Sequence, residues 1–206
     1  MHFKKAKSSI QPRVRRKSTL ALSALSKAAV MAGIISILAY VVIPLPLSPV
    51  PVTMQSLGVM LAGLLLGPAL GTWAVFFYLT LGFLGLPVFA GGRSGMGAFL
   101  SPSGGYLIGF LPGTWVTGML SLKETKYSQG CGKNHLFPVY LASSILGGIV
   151  IVHVLGVFHL ARTTGRPFFD AMLIGTVPFL PGDILKAFVA SILARKIKSA
   201  LKHLRA

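Results

Sequence analysis

The sequence is short of acidic side chains and of cysteine. Its 206 residues include three aspartates and glutamates and one cysteine. A single cysteine excludes an intrachain disulfide and any metal site built from several cysteines. The phosphate-binding pattern G-x-x-x-x-G-K-[ST] is also missing, because Tyr127 stands where Gly132-Lys133 would need a first glycine. The chain is therefore not expected to hydrolyse ATP by itself.

Catalytic and metal-binding motifs are missing too. The sequence has no G-x-S-x-G, no H-E-x-x-H and no cluster of histidines and carboxylates at ligand spacing. We therefore predict a non-enzyme with no metal and no covalently bound cofactor. An intramembrane protease that uses His153 or His159 with a serine is the enzymatic alternative, but no oxyanion hole is evident. A packing role for His153 and an interfacial position for His159 are the simpler interpretations.

Apolar residues dominate what is present. Hydrophobic residues make up 53% of the chain and charged residues 11%, and the apolar runs are near twenty residues long, which predicts an integral membrane protein. The net charge of +17 raises nucleic-acid binding first. Lys and Arg, however, flank the apolar runs as the positive-inside rule requires, so we expect contact with anionic membrane lipid and no nucleic-acid partner.

Breaks at proline, glycine and charge divide the apolar sequence into six predicted helices. We place them at about 25–47, 54–66, 69–89, 106–122, 137–160 and 181–196, with a lead-in at 168–178. Six spans put both termini in the cytoplasm, with sixteen Lys and Arg on that side and three outside. The predicted fold is all-α: one membrane domain at 25–198 between basic tails at 1–24 and 199–206. A glycine-rich connection at 89–105 and a polar loop at 123–135 join the helices.

The second predicted helix is short, and Pro178 and Pro181 break the last apolar stretch. Discontinuous spans line binding sites in transporters, because unwound backbone is tolerated where it faces a cavity. Local thinning of the bilayer is the alternative explanation.

Two opposite charges lie inside the last predicted helix, in the sequence PGDILK at 181–186. At 1.5 Å per residue, Asp183 lies roughly 18 Å from an interface marked by Arg195. The i,i+3 spacing places Asp183 and Lys186 on one helix face. A pair that only neutralises itself adds little stability in lipid, so a ligand site is favoured.

An acid and a base on one face suit a neutral polar group that has both donors and acceptors, such as a ureido ring. A transported proton or sodium ion is the alternative use of Asp183. The other spans offer no carboxylate to continue such an ion path.

The glycine-rich connection supplies further candidates. Gly91 and Gly92 allow close backbone approach to a ligand and a lid-like movement, and Arg93 suits a carboxylate. A mobile loop with Arg93 facing water is the alternative. Tyr106, in the sequence SGGY at 103–106, opens the fourth predicted helix and is either a binding residue or part of a helix start.

A ridge of small residues runs along the first predicted helix, at Ala24, Ala28 and Ala32. Their spacing of four permits close approach of another helix. That helix belongs either to a partner or to this chain.

Three ordered motifs carry a family resemblance: residues 43–92, which begin IPLPLSPVPVTMQ, SPSGGYLIGF at 101–110, and PGDILK at 181–186. They resemble the BioY family, the biotin-specific substrate-binding (S) components of energy-coupling factor (ECF) transporters. The resemblance covers 43–122 and 167–196. The N-terminal tail and the loop at 123–136 carry no matching motif.

The resemblance implies a six-helix S-component bundle in the plasma or inner membrane. Such a protein binds biotin from outside and delivers it inward with a transmembrane T component and two ABC ATPases, so that ATP acts only through the partners. It also implies that the ridge at Ala24, Ala28 and Ala32 docks on the T component. A self-sufficient secondary transporter of biotin or a similar vitamin, driven by an ion gradient, is the alternative.

The resemblance further implies a set of substrate-binding residues. Asp183 and Lys186 match positions that contact the bicyclic head of biotin, and Gln55, Gly91 and Gly92 match positions around the pocket. To these we add Arg93, for the valerate carboxylate, as our own extension.

Overall fold

The computed structural model describes residues 11–46, 48–127 and 136–203, and most of these are helical. In chain order the elements are α1 (Gln11–Ala39), β1 (Val42–Ile43), β2 (Val52–Thr53), α2 (Gln55–Phe83), a 3-10 turn (Ala90–Gly92), α3 (Met96–Leu100), α4 (Gly104–Tyr127), α5 (Leu136–Ser143), a π-helical stretch (Ser144–Ile151), α6 (Val152–Thr164), α7 (Phe168–Gly175) and α8 (Leu180–His203). The predicted helical character is confirmed for these residues. One short antiparallel ladder is added within them, in which Val42 pairs with Thr53 and Ile43 with Val52.

Several helices have the length and composition of membrane spans. Within the described part of the chain, three qualify: Leu22–Ala39, Gln55–Phe83 and Leu136–Thr164, the last formed by α5, the π-helical stretch and α6 together. A fourth is obtained if α7 and α8, bent by 54°, are taken as one span. Large apolar side chains point outward, among them Ile37 and Leu84, which are 71% and 70% exposed. Such a surface suits hydrocarbon rather than water.

Helix α2 reverses its direction at Gly67. This residue has φ 80° and ψ −176°, a conformation essentially restricted to glycine, and Pro68 has no N–H to continue the hydrogen-bond ladder. The side-chain amide of Gln55 donates to the Tyr78 hydroxyl, although 23 residues of straight helix would separate them by about 35 Å. Helix α2 therefore consists of two antiparallel arms, 55–66 and 68–83. The predicted break at Gly67-Pro68 is confirmed.

Helix α4 packs most extensively against α2 and then against α6. Glycine allows the close approach: a Cβ added to Gly63 would lie 2.8 Å from the carbonyl oxygen of Thr114 and 2.9 Å from the Thr117 Cβ. At Gly118 an added Cβ would lie 2.5 Å from the nitrogen of Pro68. These contacts hold α4 against both arms of α2, and the first turns of these helices border the cavity described below.

The bounds of α1 differ from the prediction of 25–47. The helix already includes Gln11, inside the stretch predicted as a tail, and it ends at Ala39. Beyond that point Val42 and Ile43 pair with Val52 and Thr53. Pro44 disfavours the helical conformation for the residue before it and has no N–H to donate. Residues 42–43, which the apolar pattern assigned to the first helix, therefore form a strand instead.

The alanine ridge of α1 faces the interior. Ala28 and Ala32 are 1% and 2% exposed and belong to the same core cluster as Val59 and Ala62 of α2, whereas Ala24 is half-buried. In this structure the close approach that the spacing predicts is made within the chain. Docking of a partner on this ridge stays a prediction.

The later helices run somewhat longer than predicted. Helix α4 extends to Tyr127 instead of 122, the segment from α5 to α6 ends at Thr164 instead of 160, and α8 reaches His203 instead of 196. The glycine-rich connection contains the five-residue helix α3. The rest of the predicted polar loop, with Cys131, lies outside the described residues.

Candidate functional site

A cavity lies among α2, α4, α6 and α8 and collects most of the predicted site residues. The predicted residues that line it are Gln55, Arg93, Tyr106, Asp183 and Lys186. Gly91 and Gly92 are not among the lining residues, although their neighbours Ala90 and Arg93 are. The cavity therefore brings together residues from two separate motifs of the family resemblance, one near 55 and the other near 183.

Asp183 and Lys186 form a buried ion pair on α8. The Lys186 Nζ lies 2.8 Å from the Asp183 Oδ1, and the two residues are 6% and 5% exposed. Helix α8 begins at Leu180, so Asp183 lies in its first turn, where the helix dipole favours a carboxylate. The placement of both side chains on one face, predicted from their spacing, is confirmed.

Two residues that the sequence prediction did not assign to the site complete this cluster. The Ser56 hydroxyl donates to the Asp183 Oδ1 at 3.1 Å and accepts from the Lys186 Nζ at 3.1 Å. The His153 Nε2 lies 2.9 Å from the other carboxylate oxygen, Oδ2. Because a carboxylate only accepts hydrogen bonds, Nε2 carries the proton and donates. The charged pair of α8 is thus held by α2 and α6.

The cluster retains capacity for a ligand. A carboxylate offers about four acceptor positions, and Lys186, Ser56 and His153 use three of those on Asp183. An ammonium group has three donors, and Asp183 and Ser56 take two of those on Lys186. One acceptor position, on Oδ2 of Asp183, and one donor, on the ammonium of Lys186, therefore remain. This arrangement matches a neutral group that presents an N–H and a carbonyl oxygen.

Gln55 is fixed by two neighbours. Its amide nitrogen donates to the buried Tyr78 hydroxyl, and its Oε1 accepts from the Thr53 Oγ1 at 3.1 Å. The first neighbour lies on the second arm of α2 and the second in β2. The two arms of α2 and the β1–β2 ladder thus orient the Gln55 carboxamide at the cavity wall. One N–H of this carboxamide is still available to a ligand.

Aromatic rings form much of the remaining wall. The Tyr106 hydroxyl donates to the carbonyl oxygen of Gly175 at 2.6 Å, so this residue contributes its ring and not its hydroxyl. That ring lies edge-on to His153, with centroids 5.6 Å apart, and 6.4 Å from the ring of Phe179. Further apolar side chains line the cavity: Val50, Phe89, Ala98, Leu107, Phe110 and Val152. The site combines one charged end with an apolar body.

Arg93 is exposed and lies on the loop that borders the cavity. Its Nε donates to the carbonyl oxygen of Ala90 at 3.2 Å. The loop is closed by the Phe89 N–H, which donates to the carbonyl oxygen of Arg93 at 3.0 Å. Gly91 and Gly92 have φ values of 65° and 82°, which glycine adopts without strain. Their role here is to form the turn that carries Arg93.

Within 11–46, 48–127 and 136–203, no group of three or more His, Cys, Asp or Glu side chains is close enough to hold a metal ion. His153 contacts one carboxylate oxygen of Asp183, and Lys186 contacts the other.

Comparison with known proteins gives one consistent result. The model of the BioY family matches residues 11–203. A biotin transporter BioY of Rhizobium etli is 44% identical over 149 residues, which cover 72% of this chain and 78% of the relative. A biotin transporter BioY of Thermotoga maritima is 37% identical over 174 residues, covering 84% and 95%. These relatives are transport proteins and not enzymes.

A solved structure agrees in fold. The crystal structure at 2.1 Å of the S-component for biotin from an ECF-type ABC transporter superposes with a TM-score of 0.79 at 32% identity. The match covers 88% of this chain and 93% of that one. The resemblance first seen in three motifs thus extends over nearly the whole chain, and the protein belongs to the BioY family.

Proposed function

We propose that this chain binds biotin at the cavity and serves as the substrate-specific component of a biotin uptake system. The observation that carries the proposal is the cluster of Ser56, His153, Asp183 and Lys186, which has one acceptor and one donor left over. Support comes also from the relatives, which are named biotin transporters. The similar solved structure is the S-component for biotin.

The chemistry of the cavity assigns the parts of the ligand. One ureido N–H donates to Asp183, and the ureido oxygen accepts from Lys186. The fused rings lie against the apolar wall that includes Tyr106 and Phe179. The valerate carboxylate lies toward Gln55 and Arg93, which have N–H groups to offer. The turn at Gly91 and Gly92 allows the loop to close over the ligand.

We propose six membrane spans with both termini in the cytoplasm. The two arms of α2 count as separate spans, because the chain reverses at Gly67. The others are α1, α4, the segment from α5 to α6, and α7 with α8. Lys and Arg then lie mainly on the cytoplasmic side. Cysteine labelling from either side of sealed vesicles, at 93 and at 196, tests this topology by opposite accessibility.

Transport is proposed to depend on a T component and two ABC ATPases. The chain has no phosphate-binding loop of its own, so ATP hydrolysis has to come from partners. The half-buried Ala24 extends the alanine ridge at its N-terminal end, where a partner would meet it first. Uptake of labelled biotin that follows the ion gradient in a host without such partners would instead indicate a secondary transporter.

Titration of the purified full chain with biotin tests the binding proposal. We expect tight binding by the unsubstituted protein and a loss of at least about a hundredfold for Asp183→Asn, which keeps the shape but removes the charge. Lys198→Met, on the same helix but away from the cavity, is the matched control and should bind normally. A chain that does not bind biotin, or an Asp183→Asn variant that binds as well as the original, would refute the proposal.

A further inference from the structure

We propose that His153 is a positioning residue of the binding site: it acts as a neutral imidazole whose Nε2–H holds the Asp183 carboxylate in one orientation and leaves it room for a single ligand N–H. The inference rests on the proposed function. It concerns a residue that does not need to touch the ligand. Its effect is expected to pass through Asp183.

The ring of His153 is held in place on several sides. His153 is 7% exposed. It lies edge-on to the Tyr106 ring, with centroids 5.6 Å apart, and 6.1 Å from the Phe179 ring at an angle of 62°. These two rings come from α4 and from the segment between α7 and α8. A ring packed in this way keeps its Nε2 directed at Asp183 without help from the ligand.

The two carboxylate oxygens of Asp183 have different partners. Oδ1 is bound by Lys186 and Ser56, whereas His153 alone binds Oδ2 among the described residues. With both oxygens held, the carboxylate cannot rotate about its terminal torsion. Without His153, Oδ2 would lose its partner and the carboxylate would have to be ordered when the ligand binds. Such ordering lowers affinity, which is why a pre-organised group binds better.

The protonation of His153 follows from its other nitrogen. Nδ1 is buried and has no hydrogen-bond partner among the described residues. A proton on Nδ1 would create a buried donor without an acceptor, which is costly next to two aromatic rings. The neutral tautomer with hydrogen on Nε2 leaves Nδ1 as an unpaired acceptor, which is less costly than an unpaired N–H on a charged ring. Lys186 therefore remains the group that balances the charge of Asp183, and the carboxylate keeps its full negative charge for the ligand.

A double-substitution cycle with biotin as the probe tests this role. His153→Leu should weaken binding by about tenfold or more, the value of one hydrogen bond to a charged group. The same substitution in an Asp183→Asn background should change the remaining affinity by less than about twofold, because His153 acts through the carboxylate. Equal losses in both backgrounds, or no loss in the first, would contradict the inference.

Two further substitutions separate the hydrogen bond from the ring. The glutamine side chain places an N–H at nearly the reach of the histidine Nε2, whereas the asparagine side chain is shorter. His153→Gln should therefore stay within about threefold of the original affinity, and His153→Asn should resemble His153→Leu. This pair tests the proposal even if leucine prevents folding. His159→Leu is the control, because His159 lies on the same helix and contacts the carbonyl oxygen of Ser101, 3.1 Å away.

Nitrogen-15 NMR of histidine-labelled protein gives a readout that does not require a ligand. We expect the His153 signals of a neutral ring with hydrogen on Nε2 and a bare Nδ1, and a shift of the Nε2 signal in Asp183→Asn. A proton on Nδ1 would overturn the inference. If the original chain fails to bind biotin, the proposed function falls, and the tautomer in the free protein still decides whether His153 supports Asp183.

Discussion

Two lysines on α8, Lys186 and Lys198, lie in different environments. Lys186 is 6% exposed and is bound by the Asp183 carboxylate at 2.8 Å and by the Ser56 hydroxyl at 3.1 Å. Lys198, further along the same helix, is half-buried. Its Nζ lies 4.7 Å from the centre of the Tyr140 ring and donates to the Tyr140 hydroxyl at 3.3 Å.

The difference shows what a cation requires at each depth. Near the middle of an apolar bundle an ammonium needs a counter-charge and further hydrogen bonds, since desolvation is expensive there. Near the end of the helix, an aromatic ring supports the charge while the aliphatic stem packs and the head reaches polar surroundings. Lys186 is therefore held by a counter-charge and hydrogen bonds, and Lys198 by packing against an aromatic ring.

The largest expected effect follows from removing the buried cation. Lys186→Met keeps the length of the side chain but leaves Asp183 as a buried anion without its partner. We expect a loss of about 3–5 kcal/mol in the free energy of unfolding. Chemical denaturation in detergent, followed by the fluorescence of Trp73 and Trp115, measures it.

A double substitution controls for this effect. Asp183→Leu together with Lys186→Met removes both charges, and the free energy of unfolding should return to within about 1 kcal/mol of the original or rise above it. This double variant should not bind biotin, because both charged groups of the proposed site are gone. If the single variant were as stable as the original chain, the cluster would not depend on charge balance.

The bridging hydroxyl has the next largest effect. Ser56→Ala removes one donor to Asp183 and one acceptor for Lys186, which should cost about 2 kcal/mol of stability. The same denaturation assay measures it. Ser191→Ala is the control, because Ser191 is more deeply buried than Ser56 but bonds only to the Ala187 carbonyl of its own helix. Similar losses for both serines would mean that burial, and not the bridge, determines the result.

The exposed cation at the cavity should contribute less. Arg93→Gln should weaken biotin binding by about three- to tenfold, because an exposed ion pair is screened by solvent. Binding of biotin methyl ester, which lacks the carboxylate, should be unaffected. Titration calorimetry with both compounds measures the difference. An equal loss for the two would place Arg93 away from the valerate end.

Local features of this site could be predicted from the sequence. The position of Asp183 and Lys186 on one helix face needs only a spacing of three within one helix. The break at Gly67-Pro68 needs only a conformation that glycine accepts and a missing N–H, which two adjacent residues encode. Both were predicted, and both are confirmed by the structure.

Features that join distant segments could not be predicted. Ser56 is 127 residues from Asp183 and His153 is 30 residues from it, and no local pattern links them. The π-helical stretch that precedes His153 also shifts the helical period, so a phase taken from α5 does not carry into α6. The early end of α1 has the same origin, because pairing of residues 42–43 with 52–53 depends on a segment across the proline turn.

The smallest expected effect is at the second lysine of the opening comparison. Lys198→Met keeps the aliphatic stem over Tyr140 and loses only the cation–π contact and a long hydrogen bond. We expect a change of about 0.5–1 kcal/mol in the free energy of unfolding and no change in biotin affinity. Lys198→Ala should lose more than Lys198→Met, because it also removes the packed stem. Lys198→Met could instead prove as destabilising as Lys186→Met. In that case the aromatic ring would stabilise a lysine as much as a counter-charge does, and the proposed difference between the two lysines would be wrong.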